Sequence, residues 1–340
     1  MYIYVRSRQL EGTFGDDPTI GAWPVSVLRI MRGWGMPPEE SWPYVGDASL
    51  WPPKEEPPDI DRVARTNRIF AYQRVGSSQE CKEALALDTP VFIAVEITSS
   101  WFDAPGGQIE MPRGDQKLIG GHAVILCGYD DAKRSFTLRN SWGVKWGDKG
   151  YGYLPYEYVD VLLQEAWIVI PHEDVATPHN GKGKFVAVDW RITSVLHDCL
   201  YGFEIRESPT DEREAWAFAS AYDHHLNVEE LFVRPRARGS GYASELLKQL
   251  RWLSEQLSLP LRLWVAHADY TAKGFQIIGN CVEKHGFTIS SSDVRWASLK
   301  IEKGGVPFRD VATFGVPGIA SRGRDRLPIW ISEDIGWPSA

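Results

Sequence analysis

The chain has 340 residues, of which 43% are hydrophobic and 24% charged, as in an ordinary globular protein long enough for two domains. Its net charge of -8 argues against a general nucleic-acid binder, and its four dispersed cysteines, without a CxxC pair, argue against a structural zinc site. The amino terminus shows no signal-peptide core, and no apolar run reaches the roughly 20 residues of a membrane helix. We therefore expect a cytoplasmic protein that binds no metal, nucleic acid or membrane.

Residues 1–172 are predicted to form an α+β domain. The stretch IGAWPVSVLRIMRGWG has apolar residues at helical spacing before two glycines, and SSQECKEALAL has a serine cap followed by helix formers. Short β-branched runs then predict four strands, in PVFIAVEI, HAVILCGY, SFTLRNSW and EAWIVI.

A polar stretch rich in Pro and Gly predicts a linker at residues 173–184, followed by a second domain at 185–302. Strands are expected in LYGFEIRE, EAWAFASAY, VEELFV, LRLWVA and WASLKI. A long helix with one leucine-rich stripe should follow Gly241, and a second helix should span residues 274–284. This pattern predicts a sheet with flanking helices, and residues 303–340 form a Gly- and Pro-rich tail.

His122 and Asn140 form the first chemical constellation. They flank a hairpin-like turn, so their side chains are expected to lie side by side, with Trp142 shielding their contact from water. A thiol nucleophile needs such an imidazole, and the imidazole needs a polar group that orients it.

The segment GGHAVILCGYDD…FTLRNSWGVKWGDKGYGYLPYEYV resembles the His and Asn segments of papain-like cysteine peptidases. Upstream, GAWPVSVLRIMRGWGMPPEESWPY and ECKEALALDTPVFIAVEI resemble other parts of the same family, so the resemblance covers about residues 1–170. It implies a papain-like fold, peptide or protein substrates, and site roles for His122, Asn140 and Trp142.

The family's nucleophilic cysteine heads a helix that follows an oxyanion-hole glutamine, and this chain contains no matching segment. Gln9 lies in SRQLEG and does not fit that context. Cys127 follows His122 on one strand, but the odd offset points it to the opposite face, about 16 Å away along the strand. Cys81 is expected to be a core residue. The domain should therefore be incomplete and inactive as it stands.

Two explanations for the missing thiol stay open. Either the gene start has been set too far downstream, or the domain is a non-catalytic remnant that binds peptides. In a natural remnant, loss of the helix would expose the apolar surface that it covers, at a free-energy cost of about 25 cal/mol per Å². This cost favours the first explanation.

A second constellation lies in VEELFVRPRARGSGYASELLKQL, which predicts a strand, a loop and a helix. Gly239 and Gly241 allow close approach of the backbone, and the free N–H groups of the helix start attract an anion. Arg236 and Arg238 add forked donors suited to phosphate.

The spacing Arg236-x-x-Gly239-x-Gly241 resembles the pyrophosphate loop of GNAT acetyltransferases, and GNCVEKHGF resembles their later helix and Gly-Phe. The resemblance implies a GNAT acyl-CoA N-acyltransferase fold and acetyl-CoA as cosubstrate for an amine acceptor. The cofactor would contact Leu231, Phe232, Val233, Arg236, Arg238, Gly239, Ser240, Gly241, Tyr242 and Ala243.

Direct transfer to an amine also needs a base and a group that protonates the departing thiolate. Glu229 and Glu230 are the candidate bases, and each is equally well explained as a solvated carboxylate. Tyr270 is the nearest candidate acid, because Val282 occupies the position where the family often has Tyr. The whole chain is thus predicted to be a peptidase–acetyltransferase fusion, and the alternative is a peptide-binding pseudo-peptidase joined to a CoA-binding domain.

Overall fold

The computed structural model describes residues 1–17, 21–45, 48–113, 116–171, 185–193, 196, 199–207, 212–265, 288–289 and 329–332. The chain divides into two compact units, Met1–Asp174 and Val175–Ala340. Each unit is built on its own sheet. No helix in these described segments has the length and apolarity needed to cross a membrane.

The first unit contains a six-stranded antiparallel sheet in the order β1-β6-β2-β3-β4-β5. Its strands are β1 (Ala71–Arg74), β2 (Val91–Thr98), β3 (Leu118–Asp130), β4 (Ser135–Arg139), β5 (Tyr151–Pro155) and β6 (Leu163–Ile170). Its helices are α1 (Tyr2–Glu11), α2 (Pro24–Gly33), α3 (Ile60–Ala64), α4 (Ser78–Ala86) and α5 (Tyr156–Leu162).

Both helices predicted in this unit are present as α2 and α4. Helix α2 begins with a proline, whose fixed φ suits a first helical position, and it buries Leu28 and Ile30. The Ser77 side chain caps α4 by accepting a hydrogen bond from the backbone N–H of Glu80. Helix α1 was not predicted.

Strand β3 separates a buried face from an exposed face. Val124 and Leu126 are buried, whereas Ala123 and Cys127 are exposed, as the two-residue period of a strand requires. His122 lies on the same face as Val124. The strand begins at Leu118, four residues before the predicted run HAVILCGY, so His122 lies within the strand and does not open it.

The second unit contains a seven-stranded sheet in the order β12-β13-β11-β10-β9-β8-β7. Its strands are β7 (Phe185–Thr193), β8 (Cys199–Glu207), β9 (Glu212–Ala221), β10 (Leu226–Val233), β11 (Leu261–Val265), β12 (Thr288–Ile289) and β13 (Ile329–Ser332). Strands β10 and β11 are parallel, and the other neighbours are antiparallel.

The predicted leucine-rich helix is α6 (Tyr242–Leu257). It buries Leu246 and Leu250 in one cluster with Leu226 and Val228 of β10. Strands β7, β12 and β13 were not predicted, and β13 lies in the segment taken as a tail. The linker at 173–184, the helix at 274–284 and the strand WASLKI lie outside the described residues.

Candidate active site

Strand β3 and the residue that follows β4 bring His122 and Asn140 together. The Nε2 atom of His122 lies 2.9 Å from Oδ1 of Asn140. The backbone N–H of Ser141 donates to the same Oδ1 at 2.7 Å, which fixes the amide with its oxygen towards the ring. Because Oδ1 has no hydrogen, Nε2 carries the proton, and Nδ1 of the neutral imidazole is the basic nitrogen.

Two tryptophans hold the imidazole ring. Trp142 stacks on His122 with ring centroids 4.5 Å apart and an interplanar angle of 28°. Trp101, which is fully buried, meets the ring edge-on at 6.0 Å. The indole of Trp101 donates to Tyr158 at 3.0 Å, and its backbone carbonyl accepts from the indole of Trp146 at 2.6 Å. Of the two rings that contact the imidazole, Trp101 is itself held in place by hydrogen bonds.

The environment of His122 favours the uncharged ring. Burial lowers its pKa below the ordinary value of 6.5, and the hydrogen bond with Asn140 opposes this effect only in part. A neutral imidazole near pH 7 can take a proton from a thiol, and the resulting ion pair would offset the cost of burying the charged ring.

A polar pair lies on the neighbouring strands. Gln164 donates from Nε2 to Oε1 of Glu96 at 2.6 Å, and Glu96 pairs in register with Gly121, the residue before His122. A Cβ on Gly121 would lie 2.5 Å from Oε1 of Gln164, so a larger residue there would displace the end of this side chain. Glu96 and Gln164 adjoin Gly121, which is one residue out of phase with His122, so they lie on the opposite face of β3 from the imidazole. At the imidazole itself, sequence reasoning missed Trp101, which the pairing of β2 with β3 brings to the ring.

No cysteine of the described residues is placed to attack a substrate beside His122. Cys127 is on the opposite face of β3, where its thiol donates to the Thr137 carbonyl at 3.5 Å. Cys81 is buried in α4, and burial raises the pKa of its thiol well above the ordinary range. Cys199 belongs to the second unit, and Cys281 lies outside the described segments.

Comparisons with known proteins identify the first unit. A family model described as "Papain family cysteine protease" matches residues 14–162. An uncharacterized peptidase C1-like protein of Acanthamoeba polyphaga mimivirus is 28% identical over 50% of this chain and 57% of its own length. The thiol protease aleurain of Arabidopsis thaliana is 28% identical over 41% of this chain and 39% of its own length.

Among solved structures, xylellain, a cysteine protease from Xylella fastidiosa, is 30% identical over 51% of this chain and 69% of its own, with a TM-score of 0.47. Because the family model covers residues 14–162, most of the first unit, this unit is a papain-like cysteine peptidase domain. The chain spans about half or less of the length of the two curated relatives. These comparisons give no support to an acetyltransferase in the second unit, and that assignment stays a prediction.

The second unit places both candidate bases in β10. Glu229 and Glu230 are 1% and 4% exposed, so the alternative that they are solvated carboxylates was wrong. Glu229 accepts from Asn227 at 3.0 Å, and the register of β10 with β9 shifts at this point. The backbone N–H of Leu231 donates to Oε1 of Glu230 at 3.0 Å. Tyr270 lies outside the described residues.

The predicted pyrophosphate loop lies between β10 and α6 and is exposed at Gly239 and Gly241. Both glycines have left-handed φ angles, of 85° and 84°, and a Cβ on either would meet nothing within 4 Å. Of the other predicted cofactor contacts, Phe232 and Val233 end β10, Ser240 precedes Gly241, and Tyr242 and Ala243 begin α6.

The two arginines of the loop differ in their surroundings. Arg238 is exposed and makes a weak contact with the Val233 carbonyl at 3.4 Å. Arg236 is bound by the carboxylates of Glu212 and Glu214 on β9. Its guanidinium is thus paired with carboxylates, whereas the sequence had predicted that it would be available to phosphate. The sequence could not indicate this pairing, because the partners lie on another strand.

Proposed function

We propose that the first unit is a peptidase domain in which His122 is the base for a thiol nucleophile and Asn140 orients it. The observation that carries this proposal is the hydrogen bond from Nε2 to Asn140, which leaves Nδ1 as the basic nitrogen. The substrates would be peptides or proteins, in keeping with the family of the domain.

The thiolate is proposed to come from a segment outside these 340 residues that presents a cysteine to Nδ1. The positions of two cysteines support this proposal. Cys127 lies on the face of β3 opposite to His122, and Cys81 is buried in α4. The imidazole would take the thiol proton, the thiolate would attack the peptide carbonyl, and the imidazolium would then protonate the departing amine.

The experiment is to extend the full chain at its amino end with a papain-type segment that carries a glutamine and a helix-leading cysteine. Cleavage of a fluorogenic peptide is expected from the extended chain. His122→Ala should abolish cleavage, and Asn140→Ala should lower kcat without abolishing it, because Asn140 orients the ring and does not react. Cys127→Ser is the matched control and should leave the rate unchanged.

The chain without this added segment is expected to have no reactive thiol beside His122. A peptide epoxide that alkylates papain-type thiolates should give no adduct that depends on His122. An extended chain that folds but cuts nothing would instead favour the alternative function, a non-catalytic domain that binds peptides.

A second proposal concerns the second unit, which we infer to bind acetyl-CoA for transfer of the acetyl group to an amine. It is supported by the exposed loop with two left-handed glycines that leads from β10 into the 16-residue helix α6. The loop N–H groups would face the pyrophosphate, aided by the helix dipole. Arg238, which is exposed in this loop, is the candidate for a charged contact with the pyrophosphate.

Calorimetry of the full chain with acetyl-CoA tests this second proposal. Micromolar binding is expected, with Gly239→Val weakening it more than Arg238→Ala, because a side chain at Gly239 would occupy the open space beside the loop. Absence of binding, or binding unaffected by Gly239→Val, would remove the support for acetyltransferase chemistry.

A further inference from the structure

The loop between β10 and α6 has an anchored half, residues 235–237, and an open half, residues 239–241. The anchored half forms a short 3-10 helix in which Ala237 is buried. The open half is exposed, and its two glycines have left-handed φ angles. Backbone N–H groups of the open half would meet the phosphates, so their positions depend on what holds the anchored half.

Arg236 ties the anchored half to β9 by a forked contact. Its Nε donates to Oε2 of Glu214 at 3.2 Å, and its Nη2 contacts Oε1 of the same carboxylate. The same Nη2 also contacts Glu212, two residues earlier on β9. A guanidinium that engages one carboxylate through two nitrogens is fixed in orientation as well as in position. The Arg236 side chain therefore fastens the loop to the neighbouring strand.

Arg234 attaches the start of the loop to the same part of β9. Its backbone N–H donates to the Glu214 carbonyl at 2.9 Å, and its Nη1 donates to Glu212 at 3.1 Å. The side chains of Glu212 and Glu214 are only 5% and 4% exposed, so each needs positive charge close by. Moving Arg236 to a phosphate would take compensating charge away from two buried carboxylates. Burial therefore favours an Arg236 that stays with β9.

We propose that Arg236, Glu212 and Glu214 form a clamp that holds the loop in the shape that meets the phosphates of acetyl-CoA. This inference rests on the proposed acetyl-CoA function of the second unit. All three are positioning residues, because they act through the backbone of the loop and do not contact the phosphates. Arg236 is thus the anchor of the loop, and the phosphates meet its open half.

Removing one carboxylate distinguishes this clamp from a direct phosphate contact by the sign of the effect. Glu214→Gln removes a negative charge beside the loop, which by electrostatics alone should strengthen the binding of an anion. It would also release Arg236 if this side chain bound phosphate. The clamp predicts the opposite result, because a loop without its attachment must be ordered when the ligand binds, and binding weakens.

The test is calorimetry of the full chain with acetyl-CoA, together with NMR order parameters of the Gly239 and Gly241 amides. Glu214→Gln and Arg236→Gln should each weaken binding about five- to thirtyfold, the cost of ordering the backbone of one loop residue. The double variant should bind no more weakly than either single variant, because both changes remove the same clamp. Without ligand, the order parameters should fall from about 0.85 to below about 0.6 in all three variants.

Glu255→Gln is the matched control, because Glu255 is exposed near the other end of α6 and its replacement removes the same charge. It should leave the affinity and the order parameters unchanged. Arg236→Lys is a milder second variant. It keeps the positive charge, but one ammonium cannot reproduce the fork, so the loop should loosen in part. The amide of Phe218 in β9 reports in each variant whether the sheet stays folded.

Order parameters that keep their wild-type values in Arg236→Gln would overturn the inference. Tighter binding in Glu214→Gln would also overturn it, since the carboxylates would then compete with phosphate for Arg236. A loop that loosens in the variants, in a chain that binds no acetyl-CoA, would support the clamp and contradict the proposed acetyl-CoA function. Binding that is present and equal in all variants would support that function and overturn the clamp.

Discussion

Replacing Trp142 with alanine is expected to change both the stability of the first unit and the pKa of His122. The Trp142 ring contacts three others, at 4.5 Å from His122, 5.2 Å from Phe102 and 5.6 Å from Trp146. Aromatic pairs contribute about 0.5–1.5 kcal/mol each, and Trp142 is only partly buried, so we expect the free energy of unfolding to fall by about 1.5–3 kcal/mol.

The same substitution should raise the pKa of His122 towards its ordinary value, because burial is the main cause of its lowered pKa and Trp142 covers one face of the ring. Urea unfolding and a pH titration, both followed through the His122 ring resonance, measure the two effects on one sample. Trp252→Ala is the control, since Trp252 is 55% exposed in the second unit and should change neither quantity appreciably. A loss below about 0.5 kcal/mol with an unchanged His122 pKa would refute the reasoning.

Three other outcomes follow from the same geometry. Asn140→Asp should raise the pKa of His122, because a carboxylate stabilises the protonated ring, and a lower pKa by NMR titration would contradict this. Folding lowers the pKa of His122, so as the pH falls through about 6.5 the imidazole is protonated in the unfolded chain before it is protonated in the folded chain. The free energy of unfolding, measured in urea, should therefore fall more between pH 7.5 and 5 in the wild type than in His122→Gln. Gly107→Ala should lower the stability of the first unit more than Gly106→Ala, as measured by thermal unfolding. Both glycines have positive φ, which costs an alanine about 1–2 kcal/mol, but only at Gly107 would the new Cβ lie 2.7 Å from the Tyr151 carbonyl oxygen. Equal losses of stability in the two variants would contradict the predicted collision.

The parts of the site that the sequence predicted are those with local signals. His122 and Asn140 flank one hairpin, so their approach follows from strand pairing across a short turn. Ser77 precedes a run of helix formers, and it caps α4 as its position indicates. Trp142 comes two residues after Asn140, so its position in the sequence predicted that it would lie near the His122 ring, as it does.

The parts that could not be predicted depend on long-range contacts. Trp101 reaches the imidazole only because β2 pairs with β3, and nothing in its own segment indicates that partner. Arg236 looked like a phosphate ligand by its spacing, but β9 lies beside β10 and supplies Glu212 and Glu214 as partners. A spacing motif records the chain's local geometry and not the charges that neighbouring strands bring.

The most direct test of the central claim is the pH dependence of alkylation of a cysteine presented to Nδ1 of His122 in the thiol-extended chain. An imidazolium beside the sulfur stabilises the thiolate, so reaction with iodoacetamide should show an inflection well below the ordinary thiol pKa of about 8.5. In His122→Ala the inflection should return to the ordinary value. The same inflection with and without the His122 imidazole would contradict its assignment as the partner of a catalytic thiolate.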